Sequence, residues 1–141
     1  MSFLNSVLKV FVGDKAKQDV KALSPLVDKI KTLESALEAL SHDELRAKTD
    51  EFKAKIAESI ASINEQITNL TQEAETTEDI DRREDIYQDI DKLKDEAYLI
   101  TEDVLNAILP EAFAVVKETA KRFVQNTSIM VSANEFDRSL S

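Results

Sequence analysis

Apolar residues recur every three or four positions along most of this 141-residue chain, a spacing that predicts amphipathic helices. The first helix is predicted to be short, because Gly13 behind it favours a helix end. Its apolar positions are Phe3, Leu4, Val7, Leu8 and Phe11. A second helix is predicted to begin at Ser24-Pro25, since proline suits the first helical position. The stripe of this second helix is Leu26, Ile30, Leu33, Leu37 and Leu40.

Two further helices are predicted to form a hairpin. Ser41 and Glu44 have the S-x-x-E spacing of a capping box, which predicts the start of a third helix. Its inward positions are Leu45, Phe52, Ile56, Ile60, Ile63, Ile67 and Leu70. The pattern fades near residue 72, and Thr76 or Thr77 is predicted to cap a fourth helix that runs to Pro110. The inward positions of the fourth helix are Ile86, Ile90, Leu93, Ala97, Ile100 and Val104. Because the connection is short, the two helices should be antiparallel.

Pro110 is predicted to open a fifth helix. Its predicted seam is Phe113, Val116, Ala120 and Phe123. Lys117, Lys121 and Arg122 lie near its C-terminal end, where cations interact favourably with the helix dipole. Beyond residue 126 the periodicity fades, which predicts an irregular tail.

These patterns predict an all-α fold: a helical bundle with a long antiparallel helical hairpin and a short N-terminal amphipathic helix. A single glycine and two prolines leave few tight turns, which agrees with long helices. The predicted organisation has three parts. Residues 1–22 form the amphipathic helix and a linker, residues 23–126 form the bundle with the hairpin of residues 58–102, and residues 127–141 form an irregular tail.

Charge is distributed unevenly along the chain. The net charge is −10, which disfavours general binding to nucleic acids. Residues 1–31 hold six lysines and three aspartates, net +3, whereas residues 72–103 hold 13 acidic and four basic side chains, net −9. A basic head therefore precedes an acidic hairpin, whose charge we interpret as a solvated face in preference to a docking surface for a basic partner.

Residue types exclude several kinds of catalytic site. A phosphate-binding loop of the P-loop type needs two glycines, and the chain has one. One histidine, His42, cannot supply the two Glu-x-x-His motifs of a helical di-iron site, and we assign it a structural role. The acidic run from Asp79 lacks the glycine of a calcium loop, because Glu84 stands in its place. There is no cysteine. No catalytic, cofactor-binding or metal-ligating residue is therefore predicted.

Two segments of the sequence indicate a protein family more specifically than the composition does. The sequence ALSHDELRAKTDEFKAKI at residues 39–56 resembles a segment near the start of SecA proteins, and LPEAFAVVKETAKR at residues 109–122 resembles the segment that follows it in that family. The resemblance covers roughly residues 1–57 and 103–124. Residues 58–102 are interpreted as an inserted hairpin, and the tail from Thr127 does not match.

Resemblance to SecA implies an N-terminal, non-catalytic segment of a preprotein translocase motor. Members of this family hydrolyse ATP with Mg²⁺ and move preproteins through the SecYEG channel. By this resemblance the present segment contributes packing and docking and is inactive by itself. The resemblance also implies that residues 127–141 lead to a nucleotide-binding domain further along the polypeptide. Phe113, Val116 and Phe123 are then expected to pack on that domain.

The basic head is a candidate docking element for an anionic membrane surface or the channel. A helix of about ten residues is marginal alone, so it needs a surface on which to fold. The candidate docking residues are Phe3, Leu4, Val7, Leu8, Lys9, Phe11, Lys15, Lys17 and Lys21. Folding back on the body, or pairing in a homodimer, is an equal alternative.

No secretory signal or membrane-spanning run is found in the sequence, so we expect a cytoplasmic protein that associates peripherally with the inner face of the membrane. A free-standing helical scaffold or coiled-coil adaptor is the alternative function.

Overall fold

The computed structural model describes the backbone of residues 3–140 and the side chains of residues 15–140. Within this range there are four helices: α1 (Phe3–Glu38), α2 (His42–Thr76), α3 (Ile80–Gln125) and α4 (Glu135–Ser139). Residues 3–140 contain no β-strand. The predicted all-α class is therefore confirmed.

Helix α1 is continuous where the sequence predicted two helices with a break between them. Gly13 and Pro25 both lie inside it. A glycine in a helix costs only about 1 kcal/mol relative to alanine. Pro25 has no N–H to donate to the Lys21 carbonyl. Both residues are exposed, so water can hydrogen-bond to that carbonyl instead. Neither residue ends the helix, so the helix boundaries predicted at Gly13 and Pro25 are wrong.

Helix α2 begins as predicted. Ser41 Oγ accepts a hydrogen bond from the backbone N–H of Glu44 at 3.2 Å, and the Glu44 carboxylate accepts one from the Ser41 N–H at 2.7 Å. This reciprocal pair is the predicted capping box, and it satisfies two of the amide groups that a helix start leaves without partners.

The predicted cap of the next helix is wrong. Thr77 ends α2, and Asp79 caps α3: its Oδ1 accepts from the backbone N–H groups of Asp81 at 3.0 Å and Arg82 at 3.3 Å. Arg83 Nε also donates to the Thr77 carbonyl at 3.1 Å. A carboxylate at a helix start gains from the helix dipole as well as from the hydrogen bonds, which favours Asp79 over the neighbouring threonines.

Residue contacts divide the chain into two compact units. Unit 1 comprises Met1–Leu40 and Pro110–Ile129, and unit 2 comprises Ser41–Leu109 and Met130–Ser141. Helix α3 contributes its first part to unit 2 and its second part to unit 1.

Unit 2 contains the predicted antiparallel hairpin. Ala74, near the end of α2, packs with Ile86 and Ile90, near the start of α3, and the partly buried Ile67 and Leu70 lie against this cluster. The residues predicted to face inward on α2, and those between Ile86 and Val104 on α3, are all buried or half-buried. The three- and four-residue apolar spacing therefore identified the hairpin interface correctly.

Unit 1 brings α1 together with the last part of α3. Leu37 and Ala114 are buried. Of the other residues in the stripe predicted for the second helix, Leu26, Ile30 and Leu33 of α1 are half-buried, and so is Leu40 just beyond it. Pro110 lies inside α3 and does not start a new helix.

Part of the predicted irregular tail is ordered into a helical turn. Residues 126–134 are not helical, whereas Glu135–Ser139 form α4, which Asn134 caps by accepting from the Asp137 N–H at 2.9 Å.

Candidate functional site

A buried polar contact holds the C-terminal end of α1 against the last part of α3. Arg122 Nε donates to Glu118 Oε1 at 2.8 Å, and both residues are buried, with 7% and 8% of their surface exposed. Arg122 Nη2 donates to the backbone carbonyls of Leu37 at 3.0 Å and Leu40 at 2.8 Å. The carbonyls at the end of a helix lack the usual donor one turn further on. The guanidinium supplies one to Leu40, just beyond α1, and a second one to Leu37, whose carbonyl also accepts from the Leu40 N–H at 3.2 Å. We call these contacts the Arg122 clamp.

Two exposed ion pairs accompany the Arg122 clamp. Lys117 donates to Glu34, and Lys121 donates to Glu38. The hydrogen bond from Lys121, followed by its charge, lowers the pKa of Glu38. The same hydrogen bond raises the pKa of Lys121. The two lysines are four residues apart, and so are the two glutamates. The pairs therefore repeat once per helical turn and set the register of α1 on α3.

Within this chain, residues 110–125 do not pack through the side that the sequence predicted. Ala114, Glu118 and Arg122 form the buried side, with Ala114 only 1% exposed. Four-residue spacing places these three on one side of the helix. A sequence pattern that counts apolar residues passes over this side, because two of its three members are charged. The charges are tolerated in the interior because each has a hydrogen-bonding partner.

The residues predicted to form the seam lie on another side of α3 and remain exposed. Phe113, Val116 and Phe123 have 53%, 66% and 68% of their surface exposed, and Ala120 is exposed as well. We call Phe113, Val116 and Phe123 the apolar face. Exposed aromatic side chains in a row are more informative than isolated ones, because a contiguous apolar patch marks a contact surface.

The candidate docking residues of the head divide into two groups. Lys15, Lys17 and Lys21 are exposed on α1. The side chains of Phe3, Leu4, Val7, Leu8, Lys9 and Phe11 lie outside the described residues. In the described part of the chain, no helix is both long enough and apolar enough to pass through a lipid bilayer.

A second polar cluster joins the tail to the first turns of α2. Arg46 binds Asp137 in a two-pronged ion pair at 2.7 and 2.5 Å. Asp43 accepts from the backbone N–H of Ser132 at 2.8 Å and from its hydroxyl at 2.7 Å. The hydrogen bond from Arg46 is the main cause that lowers the pKa of Asp137 to about 2. Hydrogen bonds from Ser132 lower the pKa of Asp43.

The described side chains contain no grouping typical of a metal site. No three of their His, Asp and Glu residues come together as metal ligands. His42 is half-buried in the first turn of α2. The arrangement in the described part is therefore one of contacts between helices and of exposed faces.

Comparison with known proteins assigns this arrangement to a family. Residues 8–133 match the SecA DEAD-like domain. The chain belongs to the SecA family. It is 62% identical over 141 residues to the protein translocase subunit SecA of Christiangramia forsetii, and 58% identical to that of Flavobacterium psychrophilum. Each match covers 100% of this chain and 13% of the relative, so the chain spans about an eighth of these proteins. No solved structure matches.

The SecA resemblance is wider than the sequence analysis indicated. The motifs predicted a resemblance restricted to residues 1–57 and 103–124, and this restriction is wrong. The two relatives above, and the SecA of Phocaeicola vulgatus at 45% identity, align over all 141 residues. The hairpin of residues 58–102 and the tail therefore belong to the sequence that this chain shares with these SecA proteins.

Proposed function

We propose that this chain is a non-catalytic helical segment of a preprotein-translocating SecA ATPase, and that it serves packing and docking. The observation that carries the proposal is its 62% identity, over its whole length, to a protein named as a translocase subunit. In the whole motor the partners are preproteins and the SecYEG channel, and the place of action is the cytoplasmic side of the membrane.

ATP and Mg²⁺ are bound elsewhere in this proposal. A P-loop needs closely spaced glycines, because its backbone wraps around the phosphates. With one glycine in 141 residues, this chain cannot form one. ATP hydrolysis therefore belongs to other parts of the SecA polypeptide, and this segment influences it through contacts alone.

The packing role belongs to the apolar face. Full burial of a large apolar side chain contributes roughly 1.5–3 kcal/mol. Phe113, Val116 and Phe123 are more than half exposed, so most of that free energy is still available for a contact. The Arg122 clamp lies on the same stretch of α3 and holds it against α1. We assign the nucleotide-binding domain of SecA as the surface that covers the apolar face.

The test uses full-length SecA that contains this segment. In the double variant Phe113→Ser/Phe123→Ser, we expect preprotein-stimulated ATP hydrolysis and translocation into inverted membrane vesicles to fall by at least about tenfold, since misplacement of catalytic groups by about 1 Å can cost about 100-fold. Leu99→Ser is the control, because Leu99 is 61% exposed on the hairpin. Equal activities of the double variant and the control would refute the packing role.

The docking role belongs to residues 1–21, whose partner is an anionic membrane surface. Lysines near such a surface contribute about 1 kcal/mol each. Lys15, Lys17 and Lys21 are exposed and available for this contact. Deletion of residues 1–12 removes Lys9 and the apolar candidate docking residues, so it should weaken sedimentation of the chain with anionic vesicles at low salt. Lys15→Glu/Lys17→Glu/Lys21→Glu in the same deletion variant should abolish it, and neutral vesicles serve as the control. Unchanged sedimentation with anionic vesicles would refute the proposed docking role.

A further inference from the structure

Four carboxylates form a row on the outer side of helix α3 within the hairpin. They are Glu84, Asp91, Asp95 and Glu102, and all four are exposed. At about 100° of rotation per residue, they lie within about 40° of one another and about 140° from the core residues Ile86 and Ile90. Among the described residues, no lysine or arginine lies within ion-pair distance of Glu84 or Asp95. The row therefore holds negative charge that contacts within the hairpin do not neutralise.

Large apolar side chains form a second row beside these carboxylates. It comprises Tyr87, Tyr98 and Leu105, whose surfaces are 50%, 62% and 45% exposed. The three lie within about 20° of one another and about 50° from the row of carboxylates. Tyr98 Oη also donates a hydrogen bond to Glu102 at 3.0 Å, so the two rows are in contact. We call the two rows together the acidic face.

The apolar row distinguishes the acidic face from an ordinary solvated surface. Carboxylates alone need no partner, because water solvates them. Large apolar side chains in a row gain free energy from a contact that removes them from water. From Glu84 to Leu105 the face follows three- and four-residue spacing, which is the spacing at which two helices pack side by side. Acidic and apolar rows on one face therefore suit a helix that is both cationic and apolar.

We propose that the acidic face binds a cationic amphipathic helix of another protein, in which lysine or arginine side chains lie beside apolar ones. The apolar side chains of that helix pack on the apolar row, and its cations reach the carboxylates or lie over the tyrosine rings. An anionic membrane surface does not fit, because its charge has the same sign as the face. The acidic face shares no residue with residues 1–21 or with the apolar face, so this inference is independent of the docking and packing roles.

Binding of a synthetic peptide to the 141-residue chain tests the proposal. The probe is a fluorescent peptide of about 18 residues, built of leucine and lysine at helical spacing, which as a helix is about 27 Å long and matches the row of carboxylates. Two comparison peptides carry glutamate in place of lysine, or serine in place of leucine. By fluorescence anisotropy, we expect both to bind at least about tenfold more weakly than the leucine–lysine peptide.

Two charge-reversed variants locate the contact on α3. Glu84→Lys/Asp95→Lys changes the acidic face, whereas the control Glu96→Lys/Asp103→Lys changes exposed positions about 110° away around the helix. Both variants alter the net charge equally, so general attraction between chain and peptide falls by the same amount in each. The first variant should therefore bind the leucine–lysine peptide at least about tenfold more weakly than the control does.

A second pair of variants tests the apolar row. Tyr98 and Leu99 are neighbours with 62% and 61% of their surface exposed, and only Tyr98 belongs to the acidic face. Tyr98→Ser should weaken binding of the leucine–lysine peptide at least about threefold, because the ring no longer contacts its apolar and cationic side chains. Leu99→Ser should bind the peptide as the unaltered chain does. Far-UV circular dichroism checks that all variants remain helical.

Five results would overturn the proposal. The leucine–lysine peptide could fail to bind at sub-millimolar concentrations of the chain. It could bind both charge-reversed variants equally, which would place the contact elsewhere. Tyr98→Ser could bind it as tightly as Leu99→Ser does, or the serine–lysine peptide could bind as tightly as the leucine–lysine peptide, and either result would leave charge as the only cause. The chain alone could associate through the acidic face in sedimentation equilibrium, which would assign the face to a second copy. No membrane or nucleotide is present in these measurements, so their failure leaves the proposed SecA function unaffected.

Discussion

The Arg122 clamp offers the sharpest test of how unit 1 is held together. We consider Arg122→Met, which keeps most of the side-chain length and removes the guanidinium. The variant loses the ion pair to Glu118 and both hydrogen bonds to the end of α1. The Glu118 carboxylate then stays buried without its arginine, and the carbonyls of Leu37 and Leu40 lose their hydrogen bonds from the guanidinium. Leu37 keeps only the hydrogen bond from the Leu40 N–H.

The expected loss in the free energy of unfolding is large for a single substitution. Removing one partner of a buried ion pair costs about 3–5 kcal/mol, because a charge is left in the interior without its partner. A hydrogen bond to a charged group contributes about 1.5–3 kcal/mol, which gives the same order for the two carbonyl contacts. Since these effects are not additive, we expect the free energy of unfolding of unit 1 to fall by about 3–5 kcal/mol.

Urea unfolding followed by far-UV circular dichroism, together with hydrogen exchange of the last-turn amides of α1, measures this loss. Lys117→Met is the control, because the pair of Lys117 with Glu34 lies outside the Arg122 clamp and is much more exposed, so its loss should be clearly smaller. The double variant Glu118→Leu/Arg122→Met should be more stable than Arg122→Met, because no buried carboxylate remains. A loss of less than about 1 kcal/mol in Arg122→Met would refute this reasoning.

Three further predictions concern unit 2. Ile86→Ala should lower the free energy of unfolding by about 2–5 kcal/mol in urea titrations, because Ile86 is fully buried in the hairpin core. Ser41→Ala should cost about 1 kcal/mol in the same assay by removing the cap of α2, whereas Ser41→Asp should retain most of the stability. The pKa of Asp137 falls from 3.8 to about 2 on folding, so its pair with Arg46 stabilises the tail fully above about pH 4 and is lost as the pH falls towards 2. Hydrogen exchange of α4 should follow that change, and Asp137→Asn should remove it; an unchanged pH profile in Asp137→Asn would contradict the assignment.

Features that depend on residues close in the chain could be predicted from the sequence. The capping box of α2 involves residues three apart, and the hairpin interface depends on spacing within each helix. Both were predicted correctly, because neighbouring residues determine the helix start and the side that is apolar.

Single-residue signals were insufficient to place several helix boundaries. Gly13 predicted a helix end, and Pro25 and Pro110 predicted helix starts, yet all three lie inside helices, because the preference of one residue does not by itself decide where a helix ends. Asp79 was not predicted as the cap of α3, since three candidate residues with similar propensity lie within four positions.

The sequence by itself determined that this chain is helical, where the hairpin core lies and to which family the chain belongs, because periodic spacing and family motifs are properties of the linear order. Only the tertiary structure decided which side of residues 110–125 is buried. The charges of Glu118 and Arg122 look solvated in a sequence, and they can be buried only because the carbonyls that end α1, more than 80 residues away, lie beside them.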